Sequence, residues 1–301
     1  MPIAAIRHAL RQCLARHSWI HHLEGIMLCR EKLCSTLVLA GLLFPQGVQA
    51  LTMEPPLPSS CNEAKIASDP QAKLSLYTRC LDGGDQFGIR LEKYQRDEMH
   101  FHRANVLFEL RRYAKALIDY DLFIANRHGG HVWALHQRGL THQAMGERQL
   151  AAADFNKALE SNSDALSVRF DRSRLFAEMG LYQPALEDLR RVTTSSPKSA
   201  EYANALAWLL ATCPDAKIHN GKEAVRFALK AVSIDRNAQY LDTLASARAR
   251  KGDFKQAVEA QQAALDLLRK DKAVQEETIK EFSNRLSLYA AGKPYTQHRS
   301  E

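Results

Sequence analysis

Five alanines, Ala116, Ala151, Ala185, Ala224 and Ala257, recur along the chain at intervals of 35, 34, 39 and 33 residues. Each opens an apolar helical pattern that follows another of similar length. A chain that repeats at this period cannot gather its apolar residues into one central core, and instead stacks small units that each bury a face on the next. The best-formed unit includes Ser173 to Pro197. It has small residues at Ser173, Gly180 and Ala185, bulky ones at Phe176, Tyr182, Leu189 and Val192, and a closing proline. This pattern predicts two short antiparallel helices whose backbones approach closely where the side chains are small.

That order of small and aromatic residues resembles the tetratricopeptide repeat (TPR) family, a helix-turn-helix unit of about 34 residues. The resemblance implies an all-α, right-handed superhelical solenoid of antiparallel helix pairs. The first unit is expected as a long helix from Phe87 to Leu110 followed by Tyr113 to Ile124, with Arg111 where a turn glycine usually stands. The second runs from about Val132 to Ser163 with Gly139, Gly146, Phe155 and Ala158 in register, and the third is the unit above. The fourth begins at Tyr202 and carries about five extra residues in CPDAKIHNGK, where Pro214 stops a helix and Asn220-Gly221 supplies a turn. The fifth is Tyr240 to Leu268, so about five repeats fill residues 86–269. A last helix, Glu276 to Ala290, has polar residues Glu276, Glu277, Lys280, Asn284 and Arg285 suited to a capping helix, and it opens a final segment of 270–301.

The stretches NALAWLLATCPD and YLDTLASARARKGDF, within about residues 200–268, also resemble a repeat pair found at the C-terminal end of secreted or envelope-associated bacterial proteins. The start of the chain agrees with export. Arg30 and Lys32 precede an apolar run from Leu33 to Phe44, Pro45 breaks it, and Val48-Gln49-Ala50 offers small residues for cleavage. This predicts a signal peptide over 27–50, cleaved after Ala50, and a periplasmic or secreted protein. The apolar run is far short of the roughly 20 residues that span a bilayer, so no membrane span is expected in the mature protein. Residues 1–26, basic and nearly free of acids, are read either as an extension from a start codon placed upstream of Met27 or as an organelle transit peptide.

Taking five basic and two acidic residues with the leader leaves 36 Lys and Arg against 32 Asp and Glu, a net charge of +4. The charges are interleaved, as at Arg111-Arg112 near Glu109 and Asp119, and read as solvated faces. With no basic stripe and no nucleic-acid motif, a nucleic-acid partner is not expected. Cys61 and Cys80 flank a segment, 51–85, in which Asp69-Pro70 starts a helix through Leu74, Tyr77 and Leu81. In an oxidising compartment they would form a disulfide stapling this segment, worth roughly 3 kcal/mol; two buried thiols are the alternative.

The family resemblance implies a ligand groove lined by the first helix of each pair. On this sequence it would hold Phe101, Asn105, Phe108, Trp133, His136, Leu140, Phe170, Arg174, Asn204 and Trp208. Such an aromatic groove with scattered polar groups suits a protein or peptide partner; packing between neighbouring helix pairs is the other reading of each of these aromatics. Family members that clamp a terminal carboxylate use a lysine one turn before an asparagine. Here Asn105 matches but Phe101 replaces the lysine, and Ser167 and Asp171 stand where later basic residues would be, so no carboxylate clamp is expected.

No catalytic residue, metal site or cofactor is expected. The pairs His100 with His102 and His128 with His131 lack a supporting ligand set and read as incidental surface histidines. Cys213 with His219 could pass for a thiol nucleophile, but the cysteine follows an apolar helix and precedes Pro214, so it reads as a buried small residue. No nucleophile elbow, phosphate-binding glycine loop or zinc helix motif is found. The sequence thus describes a non-catalytic interaction scaffold in the envelope. The alternatives are an accessory regulatory subunit of an envelope enzyme, or a cytosolic TPR adaptor should the leader not be a signal.

Overall fold

A computed structural model of the chain describes residues 57–83, 90–126, 131–271 and 273–298. The proposed leader, the extension before it, residues 87–89 of the expected first helix and His128 lie outside the described residues. Thirteen α-helices fill the described residues, which contain no strand. Two form an initial hairpin, α1 (Ser59–Ile66) and α2 (Pro70–Leu81). The five repeats follow as α3 (Lys93–Glu109) with α4 (Tyr113–Asn126), α5 (Val132–Ala144) with α6 (Arg148–Ser161), α7 (Leu166–Glu178) with α8 (Tyr182–Ser195), α9 (Ala200–Thr212) with α10 (Gly221–Ile234), and α11 (Ala238–Lys251) with α12 (Phe254–Leu268). Helix α13 (Glu276–Ala290) packs on α12 and the edge of α11. Each helix touches mainly its sequence neighbours, and each first helix also touches the first helix of an adjacent unit. This is the expected all-α solenoid.

The alanine markers explain the closeness of the pairs. All five are fully buried, as are Ala104, Gly139, Ser173, Ala207 and Ala245 on the first helices. At Gly139 the approach is tightest: a Cβ there would lie 2.6 Å from Cε1 of Phe155. Bulky residues fill the remaining space, with Tyr120, Phe155, Leu135, Leu175 and Leu206 among the largest fully buried side chains. The core is therefore a stack of layers, one continuous from Cys61 to Leu175 and the next from Phe170 to Tyr289.

Four intra-repeat turns share one device. Gly146, Gly180 and Gly252 adopt φ of 80°, 76° and 96°, and Arg111 adopts 56° at the corresponding place in the first unit. Each donates to the carbonyl three residues back, while the next residue reaches five back, as Arg112 does to Leu107 at 2.8 Å. This is the Schellman closure. The turn forms without its glycine, but a Cβ in the left-handed region costs roughly 1–2 kcal/mol. Arg111→Gly is therefore expected to stabilise the protein by about 0.5–1 kcal/mol after the greater freedom of glycine in the unfolded chain is deducted. Chemical denaturation would measure it, and a destabilised variant would contradict the strain.

Three expectations change. The first repeat helix begins at Lys93, because Glu92 is extended and its amide donates to Oε1 of Gln95 at 3.0 Å, fixing the start there. The segment before α2 is itself helical, so the bridge between Cys61 and Cys80 joins two helices with Cα atoms 5.1 Å apart. The Asn220-Gly221 turn is a helix start, with Asn220 Oδ1 accepting from the Glu223 amide at 3.0 Å, and the extra residues before it form a short 3₁₀ turn that buries Ile218.

Candidate functional site

The interleaved charges are not all solvated faces. Asp119, Asp154 and Asp188 are buried, and each is gripped by an arginine 16 residues earlier on the first helix of its own pair. Arg103 binds Asp119 through Nε at 2.7 Å and Nη2 at 2.8 Å; Arg138 and Arg172 hold Asp154 and Asp188 by the same fork. Arg138 Nη1 also reaches back to Asp121, and Arg172 Nη1 to Asn156, each on the second helix of the preceding unit. The result is a charged ladder joining the first three repeats. It stops at the fourth and fifth, where Phe227 and Ala260 take the aspartate's place three residues after the marker alanine. Burial alone would raise the Asp119 carboxyl, but hydrogen bonds from Arg103 and His100 outweigh it and hold the group below its usual range.

The histidines reading as incidental are also placed. His100 contacts Asp119 at 2.7 Å, and His102 is half-buried, stacked on Tyr77 at 5.8 Å with its pKa lowered by burial. His131 is exposed and meets Phe123 edge-on. Cys213 is fully buried and burial raises its thiol, while Nε2 of His219 contacts the Cys213 carbonyl at 2.6 Å, not the sulfur. Among the described residues no cluster of three or more His, Cys, Asp or Glu side chains could hold a metal ion, and no helix is long and apolar enough to cross a membrane.

The ten residues expected to line one groove do not form one surface. Phe101 packs on Phe123 and Tyr120 of its own pair, with centroids 5.1 and 6.0 Å away. Asn105 accepts from the Tyr120 hydroxyl at 2.7 Å, and Phe108 meets Tyr113. His136 is buried against Phe155, its Nε2 2.8 Å from Asp171 of the next unit. Leu140 is half-buried against the same core. These five hold repeats together. Trp133 is 59% exposed and lines a separate cleft of about 600 Å³ with His131, Asn162, Asp164 and Leu166, at the start of α5 rather than along its length.

The remaining four, Phe170, Arg174, Asn204 and Trp208, come together. They line a cleft of about 1030 Å³ that spans the third to fifth repeats. One wall is first-helix surface, with Glu201, Gln239 and Tyr240 beside the expected residues. The far wall is not repeat surface at all: it is Glu281, Phe282 and Arg285 of α13 with Tyr295 and Gln297 beyond it. Arg174 is exposed, 3.8 Å from Asp171. Asn204 is 8% exposed, and its Oδ1 is buried without a hydrogen-bond partner.

Arg285 corrects its reading as an outer polar residue. Unlike Glu276, Glu277, Lys280 and Asn284, it is buried, with Nε donating to Asp242 at 2.7 Å and its guanidinium over the Phe282 ring at 4.7 Å. Gln261 Nε2 donates to the same Asp242 oxygen at 2.7 Å, and Tyr289 contacts Ser246 at 2.8 Å. Burial pushes the Asp242 carboxyl above its usual range despite the opposing pull of Arg285 and Gln261. Helix α13 is thus bolted to the fifth repeat at the positions where earlier repeats present groove residues. Arg285 gave no sequence signal, because nothing local distinguishes a buried arginine from a solvated one.

Residues 134–164 match the model of the tetratricopeptide repeat. No curated protein matches the sequence. Among solved structures, MamA (residues 41 to the end) from Desulfovibrio magneticus RS-1 superposes with a TM-score of 0.53 at 18% identity, covering 60% of this chain and 99% of its own. YrrB, described as a TPR protein with an unusual peptide-binding site, superposes with a TM-score of 0.50 at 16% identity, covering 62% of this chain and 90% of its own. One matched repeat over residues 134–164 and a fold shared with these solenoids thus make the chain similar to tetratricopeptide repeat proteins.

Proposed function

We propose that this chain is a non-catalytic interaction scaffold of the periplasm or cell envelope, and that it binds an extended peptide segment in the cleft between the third repeat and α13. The observation that carries this is the convergence of Phe170, Arg174, Asn204 and Trp208 on one cavity of about 1030 Å³. Aromatic side chains fixed by packing supply anchoring area, and an exposed rim of Arg174, Glu178 and Glu201 supplies orientation by charge. Asn204 lines the cleft, but its Oδ1 is buried beneath the surface and out of a ligand's reach. A protein of the same fold is described as having a peptide-binding site, which agrees with this use of the scaffold.

Trp208→Ala should weaken capture of the partner at least about tenfold, as truncation of a buried aromatic anchor does. Arg174→Glu, a surface change, should weaken it with no change in melting temperature. Crosslinked copurification from the native envelope would read both, and equal capture by wild type and both variants would refute the cleft. Capture of one protein would favour the accessory-subunit reading, and capture of several would favour a scaffold. The leader is tested separately by N-terminal sequencing of the mature protein, which should begin at or near Leu51.

A further inference from the structure

Gly292, φ 69°, closes helix α13, and the amide of Lys293 donates back to the Leu288 carbonyl at 2.9 Å. The chain then leaves the helix and lies across the C-terminal ends of α11 and α9. Its backbone is held: the Gln297 amide donates to the Thr212 carbonyl at 2.8 Å, and the Tyr295 carbonyl accepts from Nη2 of Arg250 at 2.8 Å. Arg250 in turn donates through Nε to the Ala211 carbonyl at 2.6 Å, so one guanidinium ties the tail to the end of α9. The Tyr295 ring faces Trp208 at 6.1 Å and lies beneath the Arg285 guanidinium at 5.4 Å. The tail therefore combines backbone hydrogen bonds with one aromatic side chain in a pocket, the two elements by which an extended peptide is recognised.

From this arrangement we infer that the seat formed by Trp208, Thr212, Arg250 and Arg285 takes an extended peptide bearing an aromatic residue, and that residues 293–297 are an internal stand-in for it. The inference rests on the peptide reading of the cleft and names the chemistry of its ligand: an aromatic ring between Trp208 and Arg285, with a backbone N–H two residues later for the Thr212 carbonyl. The stand-in also sets a threshold. A tethered segment acts at an effective concentration in the millimolar range, and a seat that is open a tenth of the time binds a free peptide tenfold more weakly. The tail is not built to stay at any cost. Tyr295 and Gln297 are only half-buried and the intervening residue is exposed, so a segment with further contacts along the cleft can displace it.

The test uses the full chain and a fluorescently labelled peptide copying residues 292–298, with binding read by anisotropy. Tyr295→Ala, which empties the aromatic pocket, should bind the peptide at least about tenfold more tightly than wild type. Gln297→Pro, which removes the bonded amide but keeps the ring, should also bind it more tightly. Adding Trp208→Ala to Tyr295→Ala should abolish the gain, and a peptide with alanine in place of its tyrosine should bind no variant. Equal binding by wild type and Tyr295→Ala, absence of binding, or binding indifferent to Trp208 would each overturn the inference, with thermal melting confirming that every variant is folded. Failure here while Arg174→Glu still weakens partner capture removes the seat and leaves the peptide cleft standing. Tight peptide binding alongside capture that ignores Arg174→Glu does the reverse.

Discussion

Asp188→Ala is expected to destabilise the protein by about 3–5 kcal/mol, the effect of removing one partner from a buried ion pair. Asp188 sits under two arginines. Arg172 grips it through Nε and Nη2, both at 2.8 Å, and Arg169, itself buried, donates Nη1 at 2.8 Å. Truncation leaves the Arg169 guanidinium buried with the Ser163 carbonyl as its remaining hydrogen-bond partner. It also frees Arg172, which otherwise spans the gap to Asn156 on the preceding repeat. Chemical denaturation should show the loss, and a loss under about 1 kcal/mol would mean that both arginines simply turn out to water. The first rung adds a dependence on pH. Because the Asp119 carboxyl is held below its usual value in the folded chain, its contribution is present above the unfolded pKa, about 4, and is lost as pH falls through the lower folded value. Acid should therefore weaken wild type more than Asp119→Asn over that interval.

The repeat order was legible because it rests on local, periodic signals. Small residues recur where backbones meet, glycines recur at the left-handed turn positions, and the Glu276 to Ala290 helix has its own amphipathic period. The ladder was also written in the sequence, as an arginine 16 residues before an aspartate in three successive units, but it emerges only when the units are overlaid. The groove was less legible. The family pattern says which helix face turns inward, but not whether a residue there is consumed by its own repeat, as Phe101 and Asn105 are by Tyr120. Nor can a period reveal a contact outside the period. The tail from Pro294 to Gln297 has no repeat register, and its place beside Trp208 depends on Arg250 and Thr212, 40 or more residues before it, so it had no local signal.

Replacing Cys61 and Cys80 by serine is expected to cost about 3 kcal/mol, and the loss should be confined to one end of the molecule. The bridge closes a loop of 19 residues in sequence separation, for which the chain-entropy model gives roughly that value. The hairpin has little else to hold it. Helix α1 contributes Cys61 and Ala64 as buried apolar residues, and its other apolar side chain, Ile66, is exposed. Helix α2 does better, burying Leu74, Tyr77 and Leu81 and accepting a hydrogen bond at the Leu81 carbonyl from Arg96 of α3 at 3.0 Å. In a solenoid each layer is supported only by its neighbours, so the disturbance should fade with distance. Hydrogen exchange should therefore rise strongly in α1, less in α2 and α3, and not at all in α9 to α13. Reduction of the wild type should reproduce the pattern. Uniform acceleration would mean instead that the repeats unfold as one cooperative block and that the bridge supports all of them.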